Sequence, residues 1–304
     1  MAENLKKLRR RIRSVSSTRK ITRTMEMISV AKLRRIQNAM EAARPYAVKI
    51  QQLIAHLSHS AAAAELPLFC CRDTGRVTVV VVASDRGLCG GYNAAVLRTA
   101  EEFIAHNGGR GAVDVFAVGK RARDFMNKMG HPVIGAEIAW SGRVSAERSN
   151  AIANQMVERF LKRETNRVIL VYNSYVSSST YRPVATQFLP LTTGELGTGA
   201  EGAPDGGARR RDTVYNEELD YIFEPSAPRV FDELLPRYVR TKVYAALLEA
   251  MTTEHIARRI AMNNATENAG EMIKSLSLRA NKARQAAITK EILEIVGGAE
   301  ALKG

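Results

Sequence analysis

The turn from Asp85 to Asn93 carries the residue types in this sequence that are best suited to bind or react with a ligand. It holds three glycines, an arginine and a cysteine, and it follows the apolar, β-branched run Arg76–Ser84. Strand–turn–helix junctions of this kind bind phosphate groups in nucleotide-binding proteins. Here Gly87, Gly90 and Gly91 follow the spacing G-x-x-G-G, whereas the dinucleotide fingerprint is G-x-G-x-x-G. The spacing therefore favours glycines that serve backbone geometry, and a nucleotide-binding enzyme stays as an alternative.

Other reactive residue types lack the partners that catalysis or metal binding needs. Cys89 lies near Arg86, which would lower its pKa, but no histidine is close in sequence to act as its base, so we expect it to face the core. His56 and His59 have no neighbouring Glu or Cys, and His255 lacks the second histidine of H-E-x-x-H. The sequence therefore predicts no catalytic, cofactor-binding or metal-binding residues, and no cofactor.

The middle of the chain alternates apolar β-branched runs with amphipathic segments. Strands are predicted at Arg76–Ser84, Asp114–Val118, Arg167–Tyr172 and Tyr181–Leu189, and helices at 94–106, 120–129 and 145–164. This alternation predicts a small α/β domain with a mostly parallel sheet. The glycine-rich segment 194–211 is expected to be a flexible loop.

Both ends of the chain are poor in glycine and have apolar residues at coiled-coil spacing. In the first helix the predicted seam positions are Leu5, Leu8, Ile12 and Val15, then Ile21, Met25 and Ile28, and then a second register of Ile36, Met40, Ala43, Ala47, Ile50, Ile54 and Leu57. A second long helix is predicted over 237–301, with Pro236 in its first turn. Two such helices can cover each other only as an antiparallel pair. The predicted domains are 1–58, 59–227 and 228–304.

The positive charge is concentrated on the first helix. The chain of 304 residues has a formal net charge of +14, and residues 1–58 alone hold 14 Lys or Arg and 3 Asp or Glu. Such a basic helix predicts an anionic partner, which can be an acidic protein surface, lipid headgroups or nucleic acid. A nucleic-acid-binding coiled coil is the main alternative, but residues 1–45 contain no aromatic side chain to stack on bases.

Three segments together resemble one known family. Thr18–Ile28, Ser84–Asn93 and Met262–Gly270 are similar to the first helix, the central turn and the last helix of the γ subunit of bacterial-type F-type ATP synthases, and Asn281–Glu291 continues the match. The match extends from residue 1 to about residue 302, apart from loop 194–211. It implies an antiparallel coiled coil of the two ends beside a Rossmann-like α/β domain, and a non-catalytic rotor shaft. One copy would turn inside three α and three β subunits, with the ε subunit and the membrane c-ring at its foot, no nucleic acid, and a place on the cytoplasmic face of the plasma membrane.

The resemblance also assigns contact residues by position. The residues expected to contact the α and β subunits are Lys20, Arg23, Met25, Arg258, Arg284, Gln285, Thr289, Glu291 and Ile292. Tyr221 and Glu224 belong to the segment that resembles the foot near the ring and ε. From the residues alone, each helix position would be read as solvated surface. The last helix is about ten residues longer than the first, so its apolar tip is expected to need a sleeve from other subunits.

Overall fold

The computed structural model describes residues 2–58, 66–72, 75–140, 142–177, 179–191 and 226–301. Within these ranges the elements are α1 (Ala2–Ser58), β1 (Val77–Val82), α2 (Tyr92–His106), β2 (Val113–Val118), α3 (Lys120–Lys128), β3 (Val133–Glu137), α4 (Ala146–Leu161), β4 (Arg167–Tyr175), β5 (Tyr181–Leu189) and α5 (Ala227–Ala301). Two short 3-10 helices lie at Pro67–Phe69 and Gly109–Gly111. The chain forms two compact units, Val30–Arg258 and Met1–Ser29 with Arg259–Gly304. Loop 194–211 lies outside the described residues.

The unit Val30–Arg258 is built on a five-stranded sheet of order β3-β2-β1-β4-β5. β1 pairs in parallel with β2 and β4, β3 pairs in parallel with β2, and only β5 is antiparallel, to β4. Every residue of β1 is buried, because helices cover both faces of the sheet. Val80 and Val82 face a cluster with α4 and α5, whereas Val79 and Val81 face α2 and α3. The predicted, mostly parallel α/β sheet is confirmed.

One strand and one helix start differ from the sequence prediction. The run Val133–Glu137 was not predicted as a strand, yet it forms the edge strand β3. Its central Gly135 is required by packing, because an added Cβ would lie 2.6 Å from the ring of Phe116. The last helix begins at Ala227, so Pro236 lies inside it and the prediction that Pro236 occupies the first turn is wrong.

Within the same unit, the second predicted register of α1 is confirmed at three positions, while Met40, Ala43 and Ala47 are half-buried and the side chain of Leu57 lies outside the described residues. Ile36, Ile50 and Ile54 are 3% exposed or less and belong to the core cluster that also contains residues of α5. Thr252 on α5 donates a hydrogen bond to the sulfur of Met40 at 3.3 Å. These contacts bury one face of the C-terminal half of α1 in the core cluster shared with α5 and the sheet.

In the unit of Met1–Ser29 and Arg259–Gly304, α1 and α5 form an antiparallel pair. The hydroxyl oxygens of Thr22 and Thr266 lie 2.7 Å apart, and a Cβ on Gly270 would lie 3.6 Å from Nε of Arg19. A step toward the start of α1 therefore corresponds to a step toward the end of α5, as in an antiparallel coiled coil. The predicted pairing of the two ends is confirmed.

The seam of this pair follows coiled-coil spacing, with polar residues at two positions of α1. On α5 the buried residues of this unit are Met262, Ala269, Leu276 and Ala280, at steps of seven, seven and four. On α1 the buried positions are Thr22 and Ser29, at 8% and 2% exposure. The sequence prediction placed Ile21 and Ile28 in the seam and is wrong there: they are 60% and 51% exposed. The apolar pattern gave the wrong positions because the seam of α1 contains the hydroxyl side chains of Thr22 and Ser29 in place of apolar ones.

Candidate functional site: the carboxyl edge of the sheet and the helix pair

The carboxyl ends of β1 and β2 lie at the edge of the sheet on which parallel α/β domains bind ligands, beside the topological switch point between β1 and β4. Here the carboxylate of Asp85 lies where a bound anion would accept hydrogen bonds from the backbone. Its Oδ1 accepts hydrogen bonds from the backbone N–H groups of Lys120 and Ala139, both at 3.0 Å, and its Oδ2 accepts one from Trp140 at 2.7 Å. Lys120 is the first residue of α3, so Asp85 satisfies the helix N-terminus that would otherwise attract a phosphate.

The crevice at this edge is covered by side chains. Trp140 lies over it with Leu247 and Met251 of α5, and the cavity left beside Asp85 and Glu254 measures about 20 Å³. That volume holds about one water molecule, whereas small-molecule sites measure roughly 300–1,000 Å³. The space beside Asp85 is thus far smaller than a nucleotide site, and it gives the nucleotide-binding alternative no support.

The cysteine of the central turn faces the core, as predicted. Cys89 is 1% exposed, and its sulfur accepts a hydrogen bond from the Asn93 amide at 3.2 Å. Burial raises the pKa of the Cys89 thiol, which is the opposite of what a nucleophile needs. The side chains of His56 and His59 lie outside the described set. Among the described residues, no three His, Cys, Asp or Glu side chains come together as a metal site.

Arg258, a predicted contact residue, is engaged inside its own unit. It is 8% exposed, and its Nη1 lies 2.7 Å from Oε1 of Glu254, while its Nη2 donates to the carbonyl oxygen of Arg86 at 3.2 Å. Burial, followed by the charge of Arg258, lowers the pKa of His255 to about 3, so this histidine is neutral at pH 7. Burial raises the pKa of Glu254, and Arg258 opposes that rise. Contact of Arg258 with a partner stays a prediction.

The other predicted contact residues on the helices lie at the surface of the paired unit. Lys20 and Arg23 are exposed and Met25 is half-buried. The exposed residues of α5 are Arg284, Gln285, Thr289, Glu291 and Ile292. Tyr221 and Glu224 lie outside the described residues. The structure thus leaves most of these side chains available to a partner, and their roles stay predictions.

Large apolar side chains are exposed on the same unit. Toward the end of α5 these are Ile288, Ile292, Leu293, Ile295 and Val296, with exposures from 49% to 71%. On α1, Ile21, Met27 and Ile28 are more than half exposed. Apolar surface of this extent is typical of a helix that contacts another protein. Among the described helices, none is long and apolar enough to cross a membrane.

Sequence reasoning did not assign roles to Asp85, Tyr92 or Glu249, which the structure places at the junction of the sheet with α5. Tyr92 donates to the carbonyl oxygen of Ala250 at 2.8 Å, and Glu249 accepts from the backbone of Tyr175 at 2.7 Å. An acidic residue directly after a buried strand was the available signal for Asp85. No local pattern marks Glu249, because its partners are about 75 positions away.

Comparisons with known proteins agree across nearly the whole chain. A family model described as ATP synthase matches residues 4–302. The ATP synthase gamma chain of Heliobacterium modesticaldum is 41% identical over 298 residues, covering 98% of this chain and 99% of the relative. That of Desulforamulus reducens is 40% identical over 296 residues, covering 97% and 98%.

Solved structures share the fold at lower identity. A chain from the OSCP/F1/c-ring structure of the Euglena gracilis mitochondrial ATP synthase superposes with a TM-score of 0.64 at 18% identity, covering 99% of this chain and 95% of that one. A chain from the central stalk and c-ring of the Tetrahymena thermophila mitochondrial enzyme gives a TM-score of 0.58 at 21% identity, covering 81% and 99%. Taken with the full-length matches in sequence, the chain belongs to the family of ATP synthase γ chains.

Proposed function

We propose that this chain is the central rotor shaft of an F-type ATP synthase, present once per complex inside three α and three β subunits. The single observation that carries the proposal is the helix pair of Met1–Ser29 and Arg259–Gly304. Its seam is filled internally, yet large apolar side chains and basic side chains remain exposed around it. A stiff pair with such a surface fits a shaft enclosed by other subunits.

The shaft acts mechanically and makes or breaks no bond itself. Proton flow turns the c-ring, the ring turns the chain, and its asymmetric shape moves each β subunit through binding, synthesis and release. The absence of a ligand-sized crevice beside Asp85 supports this reading of the α/β domain. The chain would lie peripherally at the cytoplasmic face of the bacterial plasma membrane, with ε and the ring near Tyr221 and Glu224.

Contact with the β subunits is proposed to be electrostatic on α1 and apolar at the end of α5. Lys20 and Arg23 are exposed on α1, so they can face acidic loops. Toward its end, α5 exposes apolar side chains such as Ile292, which would turn within an apolar collar. Contacts between exposed charges weaken with salt, because the Debye length falls from about 10 Å at 0.1 M to about 3 Å at 1 M.

Native mass spectrometry of the chain co-expressed with its α and β subunits tests the assembly. We expect one copy with three α and three β subunits. Chain that stays alone, or that is instead retained on duplex DNA at 0.15 M salt, would contradict the proposal and favour the nucleic-acid alternative.

Charge reversal tests the contact residues in the assembled complex. Lys20→Glu with Arg23→Glu should weaken the coupling of ATP hydrolysis to proton pumping by roughly fivefold, which corresponds to about 1 kcal/mol. Lys128→Glu with Arg182→Glu is the matched control, since both residues are exposed, lie on the α/β domain and change the charge equally. Equal coupling in the two double variants would refute the assignment of Lys20 and Arg23.

A further inference from the structure

We propose that Tyr92, Asn173 and Glu249 form a buried polar joint that passes torque between α5 and the α/β domain. The inference rests on the proposed rotor function and extends it by assigning force transmission to three positioning residues. All three lie in the unit Val30–Arg258. These three residues are called the joint.

Glu249 fixes one turn of α5 to the end of β4. Its Oε1 accepts hydrogen bonds from the hydroxyl of Ser174 at 2.8 Å and from the backbone N–H of Tyr175 at 2.7 Å. The two donors belong to consecutive residues of the strand, so the carboxylate is held at one position along it. A shift of α5 along its axis would break both bonds together.

Tyr92 and Asn173 hold the adjacent residue of α5 to the sheet. The hydroxyl of Tyr92, at the start of α2, donates to the carbonyl oxygen of Ala250 at 2.8 Å. The amide of Asn173 donates to the carbonyl oxygen of Tyr92 at 3.0 Å and so ties the start of α2 to β4. The joint therefore connects α5 to two elements of the domain at once.

The hydrogen bonds of the joint are directional, and their burial makes them costly to break. Tyr92 is 1% exposed, Asn173 is fully buried and Glu249 is 7% exposed. Apolar contacts such as those of Leu247 and Met251 depend less on direction than hydrogen bonds do. A buried hydrogen-bonding group that loses its partner cannot turn to water and keeps the full penalty of desolvation.

The chemistry of Glu249 supports a role beyond packing. Burial raises the pKa of this carboxyl, which means that its environment opposes the charge. Hydrogen bonds from Ser174, from the backbone of Tyr175 and from Tyr172 act in the other direction and lower the pKa. Buried polar groups of this kind often specify one arrangement of elements at a cost in stability. The cost in stability has a physical reason if the joint must hold α5 in one register while torque acts on it.

The test uses the membrane-embedded complex and measures the ratio of ATP-driven proton pumping to ATP hydrolysis. In the double variant Tyr92→Phe with Glu249→Leu, the hydrogen bonds that these two side chains form between α5 and the α/β domain are lost while the apolar volume is kept. We expect hydrolysis to stay within about twofold of wild type and the pumping ratio to fall by about fivefold. Glu249→Gln keeps an acceptor oxygen for Ser174 and Tyr175, so it should retain the wild-type ratio.

Thr241→Val is the matched control, because its hydroxyl bonds only to the carbonyl of Arg237 in its own helix at 2.8 Å. A wild-type pumping ratio in the double variant would overturn the joint. If the double variant does not assemble, the ratio of proton pumping to ATP hydrolysis is measured for Tyr92→Phe alone, which removes one hydroxyl and keeps the ring. A wild-type ratio in that variant would also overturn the joint. A wild-type chain that neither assembles with α and β nor supports pumping would overturn the proposed function itself, which is a separate outcome.

Discussion

Removal of the Asp85 carboxylate is expected to destabilise the α/β domain and to create an anion site. In Asp85→Ala three converging backbone N–H groups lose their acceptor. Hydrogen bonds to a charged group contribute about 1.5–3 kcal/mol each, but water can replace part of them because Asp85 is only half-buried. We therefore expect the free energy of unfolding to fall by about 3 kcal/mol. Asp85→Asn keeps one acceptor oxygen and should lose about 1 kcal/mol.

Phosphate should partly restore the Asp85→Ala variant. The freed N–H groups include the N-terminus of α3, where an external anion can take the place of the carboxylate. At about ten times its dissociation constant, bound phosphate would stabilise the folded state by about 1.4 kcal/mol. Wild type has this position filled and should gain only the general effect of the salt.

Urea unfolding followed by the fluorescence of Trp140, the only tryptophan of the chain, measures both effects. Asp124→Ala is the matched control, because Asp124 is an Asp on the surface of the same domain whose ion pair is with the neighbouring Arg123. The reasoning is refuted if Asp85→Ala is as stable as Asp124→Ala, or if phosphate stabilises wild type and both variants equally.

Three further predictions concern other parts of the molecule. The unfolded chain binds a proton at His255 between pH 6.5 and about 3 and the folded chain does not, so stability is lost as the pH falls through this range. From pH 7.5 to pH 5, wild type should lose about 2 kcal/mol more than His255→Gln in urea unfolding, and equal losses would contradict the burial of a neutral imidazole. Thr22→Cys with Thr266→Cys should form a disulfide under mild oxidation, whereas Thr22→Cys with Ser275→Cys should not; the reverse result would refute the register. Ile292→Ala should change the melting temperature by less than about 2 °C and leave ATP hydrolysis of the assembled complex intact, because the side chain is 54% exposed; abolished hydrolysis would imply a specific chemical role.

The strands that are buried on both faces could be predicted, because their sequences are continuous apolar runs. The run Arg76–Ser84 shows this, since all of β1 within it is buried. The sequence does not predict the strand Val133–Glu137, because it lies at the edge of the sheet, is only partly buried and has a glycine at its centre. The need for that glycine comes from the ring of Phe116 on the neighbouring strand, which a local pattern does not show.

The helices were predictable as elements, but their faces were only partly so. In the second half of α1, Ile36, Ile50 and Ile54 face the core as their spacing predicts. In the first half, Thr22 and Ser29 take the seam while Ile21 and Ile28 are exposed, because each hydroxyl bonds to a backbone carbonyl of its own helix. The hydrogen bond from Arg258 to the carbonyl oxygen of Arg86 and the bonds of Asp85 to Ala139 and Trp140 depend on residues far apart in sequence.

The pairing of the two ends of the chain sets an order of events during synthesis. Thr22 and Thr266, which meet in the seam, lie 244 positions apart. At about 5–20 residues per second, a ribosome needs roughly 12–50 s to add the partner of a segment that it has already released. Meanwhile the strands from Val77 to Leu189 can complete their sheet, since all of them precede α5. The first half of α1 therefore waits with its seam uncovered while the rest of the chain is made.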